Sequence, residues 1–135
     1  MIRPFDISTE LVGELTVMRL TGELDATDAP MLSRELISAT EFSSRIVIDL
    51  SECEFIDSSG IAAIVEAWQG RDGPESRAHI VLAGPSGQVD RIIKVTGLHR
   101  GINVFDRVDE ALAALLTTDE AFRLGAGDSE ELRAS

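Results

Sequence analysis

Two adjacent hydroxyls, Ser58 and Ser59, follow Asp57 and precede Gly60 in IVIDLSECEFIDSSGIAAIVEAW (residues 46–68). A β-type run leads towards this tetrapeptide and a helical apolar pattern leaves it, so the hydroxyls fall where a helix begins. The first turn of a helix carries unpaired N–H groups and the positive end of the macrodipole, an environment suited to an anion such as a phosphoryl group. Gly60 removes a side chain that would block close approach. The chemistry this arrangement offers is phosphorylation of a serine. On the segment alone, N-capping by Ser58 or Ser59 explains the residues at least as well, and Asp25 and Asp57 read equally as turn and cap residues.

Other chemistries find less support. A serine hydrolase of the α/β type wants Gly-x-Ser-x-Gly with a later acid and histidine, and Asp-Ser-Ser-Gly lacks the leading glycine. Asp49, near a strand end, has the position of a phospho-accepting aspartate, but an early acidic pair and a late loop lysine are missing, Lys94 falling inside a helix. Gly84-Pro85-Ser86-Gly87 precedes a helix without the Lys-Ser/Thr of a phosphate-binding loop. His79 and His99 lie far from Cys53, so no zinc-ligand spacing arises. Cys53 has no basic neighbour to activate its thiol and reads as a small, partly buried residue. The sequence therefore implies no metal and no cofactor.

The elements that must position Ser58 follow from periodicity. A hairpin is expected at the start, with strands over Phe5–Val12 and Leu15–Thr21 around Gly13-Glu14; Gly22-Glu23-Leu24-Asp25 then breaks the second strand. A helix over Thr27–Thr40 has Thr27 or Asp28 as cap and Pro30 in its first turn, where a missing N–H costs nothing. Arg45–Leu50 is apolar on both faces, as a central strand covered on both sides would be. After the Asp-Ser-Ser-Gly turn, Ile61, Ile64, Val65 and Trp68 recur at helical spacing, and the helix stops near Gly70. Residues 70–78 are loop by composition. His79–Ala83 is a further strand, and Ser86 caps a helix ended by Gly97, with Leu98 closing back onto Ile93. A short strand over Asn103–Phe105 and a helix over Val108–Leu116 complete the pattern. Alternation of this kind predicts a single α/β domain over residues 1–118, a mixed, mostly parallel sheet opened by a β-hairpin, with about four helices. Residues 119–135, with five acids against two arginines, are expected to form an acidic mobile tail.

Composition bounds the partners. The 135 residues carry a net charge of −12, which argues against nucleic acid or an anionic membrane and favours a partner with a basic face. A single cysteine allows no intrachain disulfide, and no apolar run reaches the length of a membrane span or a signal core, so a cytoplasmic protein is expected.

Three blocks in this order, LTGELDATDAP (residues 20–30), IVIDLSECEFIDSSGIAAIV (46–65) and LAGPSGQVDRIIKVTGLHRGINVFDRVDEALAAL (82–115), resemble the STAS domain. The likeness runs from about Phe5 to Leu116 and lies with the bacterial anti-sigma factor antagonists. The resemblance implies a partner switch, not an enzyme: the unmodified protein binds an anti-sigma factor that is itself a serine protein kinase, freeing the sigma factor. Phosphorylation of the motif serine breaks that complex, and a serine phosphatase reverses it. Carried over by motif, Ser58 is the acceptor, and Glu23, Asp25, Asp57, Ser59 and Gly60 belong to the partner-binding surface. A phosphoserine adds roughly −1.5 to −2 charge. Burying that charge unmatched in an interface costs on the order of 3 kcal/mol, about a hundredfold in affinity. The alternative is a STAS scaffold or a nucleotide- or lipid-binding module in a stress-signalling complex.

Overall fold

A computed structural model describes residues 3–70 and 78–116. Most of the expected 70–78 loop and the expected acidic tail lie outside the described residues. The chain runs β1 (Asp6–Val12), β2 (Leu15–Leu24), α1 (Ala29–Phe42), β3 (Arg45–Ile56), α2 (Ser58–Gln69), β4 (His79–Ala83), α3 (Gly87–Thr96), a 3₁₀ turn (Leu98–Arg100), β5 (Val104–Phe105) and α4 (Val108–Leu115). The strands form one sheet in the order β1-β2-β3-β4-β5. β1 is antiparallel to β2, from Asp6 opposite Thr21 to Val12 opposite Leu15. The remaining pairs are parallel. This is the mixed, mostly parallel α/β sheet that the alternation predicts.

Side chains alternate across a pleated strand, so the apolar residues of β2 and β3 divide between two faces. Met18, Leu20, Ile46, Ile48 and Leu50 join Leu32 and Leu36 of α1, Ile61 and Ile64 of α2, and Val89 and Ile93 of α3 in one core. Leu15, Val17, Val47, Val81 and Ala83 meet Ala111 and Leu115 of α4 on the opposite face. Both faces of β3 are thereby covered. With few aromatics, the core is aliphatic; each large side chain in it contributes about 1.5–3 kcal/mol by leaving water.

Four local expectations are corrected. β2 does not break at Thr21 but continues through Gly22 and Glu23 to Leu24, because β3 continues beside it and two register irregularities absorb the mismatch. Gly22 makes this passage possible: its φ is +83°, and a Cβ there would strike the Pro4 and Arg3 backbone. Likewise the strand expected over Arg45–Leu50 does not stop there: Ser51–Phe55 is strand too, with Cys53 and Ile56 buried and Ser51, Glu52 and Glu54 exposed. α1 begins at Ala29 and not Thr27, since residues 25–28 form a turn in which the Asp25 carbonyl accepts from the N–H groups of Asp28 and Ala29. Ser86 occupies the N-cap position of α3, but its side chain makes no capping bond. Gly97 ends α3 in the left-handed region, its N–H reaching the carbonyls of Ile93 and Lys94, as expected of it.

Candidate functional site

The extension of β2 to Leu24 and β3 to Ile56 brings the 25–28 turn and the start of α2 to the same end of the sheet. The Asp57 N–H donates to the Leu24 carbonyl (3.3 Å), tying the two strand exits together. From the other side, Gln88 in the first turn of α3 grips Ile56 through both of its amide atoms: Oε1 accepts the Ile56 N–H at 3.0 Å and Nε2 donates to its carbonyl at 2.8 Å. The backbone that launches Asp57 and Ser58 is held from two directions.

Asp57 is the N-cap of α2. Its Oδ1 accepts from the N–H groups of Ser59 (3.0 Å) and Gly60 (3.3 Å) and from the Ser59 hydroxyl (2.5 Å). These bonds favour the charged form, so the carboxyl lies below its ordinary value; the Ser59 hydroxyl is the largest cause, opposed by partial burial and aided by the N–H groups of Gly60, Ser59 and Ala26. The cap reading of Asp57 thus holds, and Ser59 completes it. Ser58, the first residue of α2, is exposed, and among the described residues nothing hydrogen-bonds its hydroxyl.

The structure alters how an anion would be received here. Asp57 already occupies the donors of Ser59 and Gly60, so the helix end is less open to a phosphoryl group than the sequence implies. The surroundings are acidic. Glu23 is half-buried on β2, Asp25 is exposed with its Oδ1 accepting the Thr27 N–H (2.9 Å), and Asp28 Oδ2 faces the Asp25 N–H (3.4 Å). Among the described residues, no Lys or Arg forms an ion pair with Glu23, Asp25, Asp28 or Asp57.

Gly60 has a different reason from the one its sequence context offers. It is buried, and a Cβ would strike the Leu24 side chain and come within 2.6 Å of Ile56 Cγ1. The close approach it permits is that of α2 onto the strand ends beneath it. Glu23, Asp25, Asp57, Ser58 and Ser59 do come together at one end of the sheet; Gly60 lies under them. Gln88 escaped sequence reasoning, since no local signal links it to a residue 32 positions away.

The other candidates sit elsewhere. Asp49 is buried, its side chain 1% exposed; Oδ2 accepts from Arg19 Nε at 2.9 Å and Oδ1 from the Ser51 N–H and hydroxyl at 2.9 and 2.7 Å. It links β2 to β3 and offers no accessible oxygen to a phosphoryl donor. Lys94 pairs with Asp90 on the surface of α3. Burial pushes the Cys53 thiol up to about 11, so it is no ready nucleophile. His79 and His99 are exposed. Among the described residues there is no cluster of metal-ligating side chains, and no helix is long and apolar enough to cross a membrane.

This sheet, with an acid-capped serine at the exit of its central strand, is a STAS fold. A family model for the STAS domain matches residues 6–111, and the chain belongs to that family. It is similar to the anti-sigma-B factor antagonist of Listeria monocytogenes, with 32% identity over 81 residues, covering 58% of this chain and 68% of the relative. Among solved structures, an anti-sigma factor antagonist from Mycobacterium paratuberculosis superposes with a TM-score of 0.74 at 25% identity, covering 83% of this chain and 94% of that one. The Bacillus cell fate determinant SpoIIAA in its phosphorylated form shares the fold at a TM-score of 0.64 and 22% identity, over 82% of this chain and all of that one.

Proposed function

We propose that this protein is an anti-sigma factor antagonist switched by phosphorylation of Ser58. Unmodified, it binds an anti-sigma factor that is also a serine protein kinase and so releases a sigma factor; a serine phosphatase restores it after modification. The observation that carries this reading is the unengaged, exposed Ser58 hydroxyl at the first position of α2, beside a carboxylate already committed to Ser59. The Listeria relative and the Mycobacterium structure that it resembles are anti-sigma factor antagonists, which points to the same class of partner.

The acids around Ser58 give the switch its force. Glu23, Asp25, Asp28 and Asp57 form a rim that a basic partner surface would match. A phosphoryl group on Ser58 adds its charge where the nearest helix donors already serve Asp57, so the modified serine faces carboxylates and not cations. In the Ser58 step the hydroxyl oxygen attacks the γ-phosphorus of ATP, ADP leaves, and the hydroxyl proton must pass to a base. That base is supplied by the kinase.

Incubation with a candidate ATP-binding serine kinase and ATP, followed by peptide mass spectrometry, tests the assignment. Phosphate is expected on Ser58. Phosphate only on Ser59, or on Ser129 instead, would overturn it.

A further inference from the structure

At the far end of the sheet from Ser58, two of the three exposed large apolar side chains among the described residues line one cleft. Leu11 is 70% exposed and Phe42 is 81% exposed. The cleft has a volume of about 420 Å³ and runs between β1 and the C-terminal half of α1, with Thr9, Glu10, Glu35 and Ala39 completing its walls. Its origin is plain. α1 turns Leu32, Leu36 and Ala39 onto the core and leaves Thr9 and Leu11 of the edge strand uncovered on that same side. β1 pairs only with β2, so its outer main-chain groups have no strand beside them among the described residues. An open edge next to an apolar cleft is the arrangement used when an extended segment adds itself to a sheet.

Charge decides the occupant. The two charged lining residues, Glu10 and Glu35, are both acidic, and Glu41 adjoins Phe42. A second copy of this chain, with its net charge of −12, would bring like charges against them. A basic strand would bring the opposite sign. Side chains of an added strand alternate between the faces of the sheet, so apolar residues entering between Leu11 and Phe42 would alternate with residues directed to the face that carries Glu10. We propose that this cleft receives an extended, basic segment of a partner protein, with aliphatic side chains between Leu11 and Phe42 and Lys or Arg side chains on the other face against Glu10, the Glu35 carboxylate on the cleft wall adding to the negative field that attracts the segment. Thr9, the cleft residue of β1 nearest the Ser58 end, pairs with Met18 of β2, six residue steps or about 20 Å from Leu24. The cleft is therefore free to bind whatever the state of Ser58.

The test uses the full chain and the peptide acetyl-Arg-Val-Lys-Ile-Lys-Val-Arg-amide, with calorimetric titration and backbone amide shifts at physiological ionic strength. Binding is expected, with shifts confined to β1 and the C-terminal half of α1. The double variant Leu11→Ser/Phe42→Ser keeps the charge of the protein and is expected to bind about tenfold more weakly or worse. Glu10→Gln/Glu35→Gln is expected to weaken binding too, and Ser58→Asp to leave it unchanged. Equal affinity for wild type and the Leu11/Phe42 variant would reduce the interaction to general charge attraction and overturn the proposal. Shifts centred elsewhere, or absence of binding, would do the same. A wild-type dimer that the Leu11/Phe42 variant dissolves would make a second copy the occupant, also against the proposal. The amide shifts are read on wild type, so the outcome stands even where a variant folds poorly.

Discussion

The Ser59 hydroxyl donates to Asp57 Oδ1 at 2.5 Å, and through this bond the second serine of the pair serves the cap of the helix that the first serine begins. Two chemically equivalent neighbours thereby acquire different roles. The Asp57 N–H donates to the Leu24 carbonyl (3.3 Å), so the backbone of the capping residue also ties the start of α2 to the strand end that leads into the Asp25 turn.

Replacing Ser59 by Ala removes the largest of the effects that hold the Asp57 carboxyl low, while both N–H caps remain. The Asp57 carboxyl is expected to titrate closer to its ordinary range, which carboxyl-detected NMR would follow. The stability lost at neutral pH is expected to be about 1 kcal/mol, as for a single hydrogen bond, with Asp57 partly in water. An unchanged Asp57 titration in Ser59→Ala would show that the hydroxyl does not set it.

Acid should weaken the fold through Asp49 as well as Asp57. Both carboxyls lie below their ordinary value of 3.8 in the folded state. For Asp49, burial opposes ionisation, and the Ser51 hydroxyl and N–H together with Arg19 overcome it. A depressed folded-state value contributes stability that is fully present above the unfolded value and is lost as the pH falls through the folded one. The loss is therefore expected below about pH 4, and Asp49→Asn should flatten that acid limb. Arg19→Met is expected to cost about 2 kcal/mol at neutral pH, less than for a fully buried pair because Arg19 is half exposed. Urea titrations across pH would check both; identical acid limbs for wild type and Asp49→Asn would refute the account.

The order of strands and helices is legible because the stripe from Ile61 to Trp68 repeats at helical spacing, while Arg45–Leu50 is a short, β-branched apolar run, too short for a buried helix. Ser51–Phe55 hides its strand character because three of its five residues are polar and face outward, so nothing in the segment marks where pairing ends. Pairing there depends on Gly22 and Leu24 of β2, which local periodicity does not see. The site was legible to the same extent. Asp57 before a helical run announces a cap, but the role of Gly60 depends on Leu24 lying beneath it, and the grip of Gln88 on Ile56 depends on where α3 packs.

Gln88 is expected to matter more than its surface position implies. Gln88→Ala removes the partners of the Ile56 N–H and carbonyl together, at a cost of about 1–3 kcal/mol. Gln88→Glu keeps an acceptor for the N–H but loses the donor, and should fall between wild type and Ala. Chemical denaturation orders the three proteins, and amide exchange at Ile56–Ser59 should quicken in the same order. Equal exchange in all three would show that α3 does not hold this end of the sheet.

Gly60→Ala tests the packing of α2 independently of any partner. A methyl group at residue 60 has no room between Leu24 and Ile56, both fully buried, so either α2 lifts or the strand ends move. Overpacking of this kind costs about 1–3 kcal/mol, which outweighs the gain of near 1 kcal/mol that Ala brings to a helix interior. A melting temperature equal to or above that of wild type would refute the packing argument.

Ser58 itself provides the decisive comparison for the proposed switch. Its hydroxyl contributes no hydrogen bond to the described fold, so Ser58→Ala is expected to change stability by less than about 0.5 kcal/mol. The alanine protein should bind the anti-sigma partner as tightly as the unmodified wild type and resist release by ATP. Ser58→Asp adds a carboxylate beside Asp57 and within the rim of Glu23 and Asp25, where described cations pair with none of them. It is expected to bind about tenfold to a hundredfold more weakly, the smaller end reflecting one charge where a phosphate carries nearly two. Calorimetric titration of the three proteins against the partner reads the order directly. High salt should narrow the gap, because the repulsion acts at an exposed site. Equal affinities for wild type and Ser58→Asp, with both proteins folded, would mean that charge at this position does not operate the switch.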